Sequence, residues 1–117
     1  MLNKFLSTFL FFVFCFSEAI SQNQPPNITS DGNQIYCPQT QQNIVSNFNI
    51  EDPDDTSLDA LYIQISEGYV PGEDILSYSG SNPNLDFNWS VSEGKLEITS
   101  LDGNSALITD LIDAVYE

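Results

Sequence analysis

The sequence predicts an all-β protein, built as an antiparallel sandwich. Short apolar runs recur roughly every 10 to 14 residues and are separated by turn residues. Within several runs apolar and polar residues alternate, which is the pattern of a strand with one buried face. A doubly wound α/β fold would need helical patterns of about ten residues between the strands. The sequence offers no such pattern there, and we therefore expect an antiparallel arrangement.

The first 21 residues have the layout of a secretory signal peptide. Lys4 precedes a 12-residue apolar stretch at residues 5–16, and small residues at Ala19 and Ser21 have the spacing of a cleavage site. We expect cleavage directly after Ser21. The apolar stretch is shorter than the about 20 residues of a membrane-spanning helix. A retained anchor is the alternative.

The mature chain is expected to begin with an extended polar leader at residues 22–33, followed by one domain at residues 34–117. The leader contains Pro25-Pro26 and Asp31-Gly32, which are turn and loop signals.

Five strand candidates follow the leader. The clearest has Leu61, Ile63 and Ile65 on one face, with Tyr62 out of phase and therefore exposed. The other candidates are residues 43–50 with Ile44, Phe48 and Ile50 on one face, a short run at 74–78, an alternation of Phe87, Trp89 and Val91, and an alternation of Leu96 and Ile98. Because Glu93-Gly94 lies between the last two, they are expected to form a hairpin.

The tail has a different period. Apolar residues at 108, 111, 112 and 115 recur at steps of three and four, which predicts a short helix with Thr109 or Asp110 as its cap. Residues 115–117 resemble the opening of another strand. A sandwich that ended there would have an unpaired edge. We therefore expect the front part of a longer protein, whose downstream domains are its first partners.

The composition excludes several functions. The chain has 17 Asp and Glu against 2 Lys, with no Arg and no His, and a formal net charge of -15. A histidine base, a Ser-His-Asp triad and an arginine clamp for phosphate are therefore impossible. Nucleic acid and anionic membrane surfaces would repel the chain. We expect no catalytic residues, and no membrane insertion after signal removal.

Cys37 is the one cysteine that survives removal of the signal peptide. Three alternatives stay open for it: a disulfide partner outside this chain, a buried free thiol, or a reactive thiol. The sequence supplies no histidine that could activate the thiol.

The densest acidic run, Glu-Asp-Pro-Asp-Asp, directly follows the strand candidate that ends at residue 50. Crowded carboxylates repel each other, and a hard cation with oxygen ligands relieves that repulsion. Calcium is therefore predicted at Asp52, Asp54 and Asp55, with Asp74 or Asp102 as a distal ligand. The alternative is a solvated turn whose Pro and Asp residues set the backbone.

Aromatic residues suggest a second kind of site. Trp89, Tyr62, Tyr69 and Tyr78 could line a sugar-binding face. Trp89 alternates with polar neighbours, however, and is predicted to be a core residue instead.

Several short motifs occur in a defined order between Gln34 and Tyr116. They are Ile35-Tyr36-Cys37-Pro38, the acidic run at 51–55, Gly68-Tyr69, Gly72-Glu73-Asp74-Ile75-Leu76, Trp89, Gly94-Lys95-Leu96-Glu97-Ile98 and Val115-Tyr116. In this order they resemble the cadherin-like, immunoglobulin-like modules of large secreted surface proteins of gliding bacteria.

The resemblance implies a role in adhesion or spacing, calcium at acidic turns matching Asp52, Asp54, Asp55 and Asp74, and a downstream sorting domain for type IX secretion. The expected function is therefore that of a non-catalytic extracellular module at the cell surface, with surface glycans or proteins as further partners. The alternatives are a carbohydrate-binding module and the accessory domain of a secreted enzyme whose catalytic part lies downstream.

Overall fold

The computed structural model describes residues 22–31 and 37–117, whose regular elements are mostly strands in antiparallel sheets, with one short helix. The predicted signal peptide lies outside these residues. The elements within them are β1 (Asn27–Ser30), β2 (Phe48–Glu51), β3 (Ser57–Leu58), β4 (Ala60–Gln64), β5 (Leu85–Ser90), β6 (Lys95–Ser100), β7 (Ala106–Leu107) and the helix α1 (Ile108–Val115). The prediction of a β-rich antiparallel protein is confirmed at this level.

A three-stranded sheet in the order β4-β6-β5 forms the centre of the fold. Because side chains alternate across a strand, the register places two rows of apolar side chains on one face. We call this the inner face, and its rows are Leu61–Ile98–Phe87 and Ile63–Leu96–Trp89. The opposite, outer face carries polar rows, of which Tyr62–Glu97–Asn88 is the central one.

The predicted hairpin between β5 and β6 is confirmed. Its turn closes with the amide of Gly94 donating to the carbonyl of Ser90 at 2.9 Å. Gly94 has φ +62, and a side chain there would also meet the ring of Tyr69 at 2.9 Å. Val91, predicted on the inner face, lies instead in this turn and is exposed.

Two short ribbons, β1–β2 and β3–β7, complete the strand pairing. β1 lies within the residues expected to be a leader, and its polar sequence gave no strand signal. β2 begins only at Phe48, so the strand predicted over residues 43–50 is too long, and Ile44 is exposed. Asp31 explains the late start, because its Oδ1 accepts the amides of Ser46 and Asn47 and holds a loop there.

Helix α1 buries one side in the core. Leu111 has no exposed surface, and Ala114 and Val115 are also buried. These residues belong to the same apolar cluster as Ile50 of β2 and Ile98 of the sheet. The helix therefore joins a ribbon and the sheet in one core.

The predicted helix cap is wrong. Leu107 occupies the N-cap position and makes no side-chain capping bond, whereas Thr109 and Asp110 lie inside the helix. The amide of Ile108 donates instead to the carbonyl of Thr56 at 2.9 Å. A tertiary backbone contact thus replaces the side-chain cap.

The predicted opening of a strand at residues 115–117 is also wrong, because Val115 is the last residue of α1 and is buried. Tyr116 ends the helix and binds the backbone of β2. The Phe48 amide donates to the Tyr116 hydroxyl at 2.7 Å, and this hydroxyl donates to the Phe48 carbonyl at 3.0 Å.

Residues 74–78 form no strand and belong to an irregular loop. The loop covers part of the inner face, because the Tyr78 ring stacks on Phe87 with centroids 4.0 Å apart and Leu76 packs against the core. Within the described part of the chain, none of the helices has the length and apolar character that crossing a membrane requires.

Candidate functional site

The predicted calcium ligands of the acidic turn accept hydrogen bonds from backbone amides. Asp52 is half-buried, and its Oδ1 accepts the amides of Asp54 and Asp55 at 3.0 Å each. Asp54 Oδ2 accepts the amide of Gln24 at 2.6 Å, which ties the segment before β1 to this turn. The alternative to calcium binding, a turn whose Asp side chains set the backbone, therefore describes part of what these residues do.

Asp74 and Asp102, the predicted distal ligands, shape their own turns. Asp74 Oδ2 accepts the amide of Val70 at 2.8 Å. Asp102 Oδ1 accepts the hydroxyl of Ser100 at 2.6 Å and the amide of Asn104 at 3.0 Å, and Oδ2 accepts the Asn104 side-chain amide at 3.0 Å. These bonds, the Ser100 hydroxyl foremost, lower the pKa of Asp102 to about 2.

Of the predicted calcium ligands, Asp52, Asp54 and Asp55 share one turn, whereas Asp74 and Asp102 lie in turns of their own. Among residues 22–31 and 37–117, no three acidic or cysteine side chains form a group that could hold a metal ion. Calcium binding stays a prediction. The ion would need further carboxylate or carbonyl oxygens from the turns to complete its ligand set.

Asp31 is a structural carboxylate that the sequence did not single out. Hydrogen bonds, chiefly from the amide of Asn47 and also from that of Ser46, hold its pKa below the usual range. The Asp-Gly pair at 31–32 predicted a turn. It did not predict that the Asp31 carboxylate accepts an amide 15 residues further along the chain.

The outer face of the sheet carries the aromatic side chain of Tyr62. The Tyr62 hydroxyl donates to Glu97 Oε1 at 3.0 Å, and Lys95 Nζ lies 5.5 Å from the centre of the Tyr62 ring. Lys95 also pairs with Glu93 at 3.0 Å. The bond to Glu97, with the nearby Glu97 charge, raises the pKa of Tyr62. Tyr62 is 56% exposed, as its alternation out of phase predicted.

The four aromatic residues considered for sugar binding do not share one surface. Trp89 is half-buried against the core, which confirms its prediction as a core residue. Tyr69 meets Trp89 edge-on at 6.0 Å, and Tyr78 stacks on the inner-face residue Phe87. Of these four residues, Tyr62 alone lies on the outer face.

Cys37 is exposed and makes no disulfide in the described part of the chain. The alternative of a buried free thiol is therefore wrong. A partner outside this chain and a reactive thiol remain as predictions.

No protein-family model, curated protein or solved structure matches the chain.

We predict that the acidic turn binds calcium and that calcium therefore stabilises the protein, because a ligand of the native state raises the melting temperature by mass action. Millimolar calcium should raise the melting temperature, and Asp54→Asn and Asp55→Asn should abolish the rise. Asp113→Asn removes the same charge from an exposed position on α1 and should leave the calcium-dependent rise intact. Identical melting curves in calcium and in chelator would contradict calcium binding by the acidic turn.

A second prediction concerns pH. A depressed pKa of Asp102 gives stability that is present above the pKa of the unfolded chain, near 3.8, and is lost as pH falls towards about 2. Asp102→Asn should therefore lower the melting temperature at pH 7, and the difference from wild type should shrink between pH 4 and pH 2. A difference that stays constant over this window would show that the Asp102 charge contributes nothing.

Proposed function

We propose that this chain is a non-catalytic extracellular module with an immunoglobulin-like, cadherin-like sandwich, which serves adhesion or spacing in a larger secreted or cell-surface protein. The observation that carries this proposal is the way in which its carboxylates are used. Asp31, Asp52, Asp74 and Asp102 each accept backbone amides and fix loops. Such side chains hold loops in place and give the surface its negative charge.

The packing supports the sandwich part of the proposal. Ile50 of the β1–β2 ribbon and Leu61 and Ile98 of the sheet belong to one apolar cluster. Two layers of strands that share a core are the basic requirement of a sandwich. The family resemblance of the motifs adds the expected route of type IX secretion and the downstream domains.

Export is the part of this proposal that is most readily tested. We expect the protein in the extracellular or surface fraction of the cells that produce it, with Gln22 as its first residue. Mass spectrometry of the amino-terminal peptide measures this directly. Recovery from the cytoplasm with residues 1–21 attached would overturn the proposal.

A second candidate function is carbohydrate binding at the outer face. The specific observation in its favour is Tyr62, whose exposed ring is already held in place by the bond to Glu97. Asn88 lies on the same cross-strand row and offers a carboxamide. An aromatic ring beside polar side chains can stack on a sugar ring and hydrogen-bond its hydroxyls.

The test is a glycan titration with matched variants. Binding that Tyr62→Ala abolishes and Tyr62→Phe retains would establish the ring as the contact surface, because Phe keeps the ring and loses only the hydroxyl. Unchanged binding by Tyr62→Ala, or no binding of any glycan in an array, would eliminate this candidate.

A further inference from the structure

An open surface cavity of about 480 Å³ lies where the connection from β6 to β7 meets the start of α1. Buried Leu85 and Ala106 form part of its lining. Leu101 and Leu107, which also line it, are 63% and 52% exposed. The cavity therefore has an apolar wall that continues onto exposed leucines, and its volume falls in the range of about 300–1,000 Å³ that is typical of ligand sites.

Two carboxylates face the same cavity. Asp102 lies in the turn after β6, and Asp110 lies in the first turn of α1. With a pKa of about 2, Asp102 is ionised at neutral pH. Within the described part of the chain, the lining contains no basic residue. Lys95 lies at the opposite end of β6, about 17 Å away at the rise of an extended strand.

We propose that this cavity receives a lysine or arginine side chain of a partner protein. Such a side chain has an apolar stem and a charged end. The stem would lie along Leu101 and Leu107, and the cationic group would meet Asp102 and Asp110. The two parts of the cavity match the two parts of this ligand.

Other occupants fit the cavity less well. An anion would be repelled by both carboxylates. A bare calcium ion needs six to eight oxygen ligands, whereas the described lining supplies two carboxylates, those of Asp102 and Asp110, and the leucines offer no ligand. This inference rests on the proposed adhesion role in one respect, namely that the lysine or arginine belongs to a partner protein. The site itself is tested separately from export.

The experiment is an NMR titration of the isotope-labelled protein with Nα-acetyl-lysine N-methylamide. We expect shifts confined to amides near Leu101, Asp102 and Asp110, with a Kd on the order of 1 mM for so small a ligand. Raising the salt from about 20 mM to about 500 mM should weaken binding, because the charges are solvent-accessible. The norleucine analogue, which has the apolar stem without the ammonium group, should bind at least about tenfold more weakly.

Asp110→Asn should weaken binding of the lysine probe about threefold or more, and Asp102→Asn should do the same while keeping an oxygen for Ser100 and Asn104. Asp113→Asn removes the same charge from α1 outside the cavity lining and is the matched control.

Four results would overturn the proposal. They are equal weakening by Asp113→Asn, shifts spread evenly over the acidic turns, equal binding of the norleucine analogue, and the same shifts with calcium chloride at matched ionic strength. None of these results bears on whether the protein is exported with Gln22 as its first residue, so failure of this site is distinguishable from failure of the proposed function.

Discussion

Burial of the inner face of the three-stranded sheet is the constraint on which the rest of the structure depends. The sheet presents two rows of apolar side chains, and water must be excluded from them for the domain to be stable. Helix α1 contributes Leu111 to this core, and Ile98 of the central strand is its fully buried counterpart in the sheet. Because β2 and β7 also contact α1, the helix ties both ribbons to the sheet.

The carboxylates complement this core at its edges. A small domain has much surface for its volume, and its loops must be fixed with few apolar contacts. Here side-chain oxygens accept backbone amides in several loops: Asp31 binds a segment 15 residues away, and Asp54 binds the amide of Gln24. The high negative charge therefore has a structural use in addition to keeping the surface hydrated. The sequence offers only two lysines to balance this charge.

Local periodicity was sufficient to predict the central elements. The alternation of Leu61 and Ile63 and that of Leu96 and Ile98 placed β4 and β6, and the three-four steps of residues 108–115 placed α1. The Glu93-Gly94 pair placed the hairpin turn. In each case the local preference and the buried face agree, which is why a single sequence was informative.

Long-range contacts account for what the sequence could not predict. The polar strand β1 exists because it pairs with β2, and α1 begins with a bond to Thr56 rather than a side-chain cap. The acidic residues were recognised as a group, but their partners are backbone amides that carry no signal in the sequence. By contrast, alternation did predict the exposed Tyr62 and the core residue Trp89, and the register places them on the outer and the inner face, respectively.

The central role of the helix in closing the core is tested most directly by comparing two leucine truncations in urea denaturation. Leu111→Ala empties a site with no exposed surface, and we expect a loss of about 2–5 kcal/mol in the free energy of unfolding. Leu107→Ala makes the same chemical change one residue before the helix, at a side chain that is 52% exposed, and should cost less than about 1 kcal/mol. Equal losses for the two variants would contradict the view that α1 closes the core of the domain.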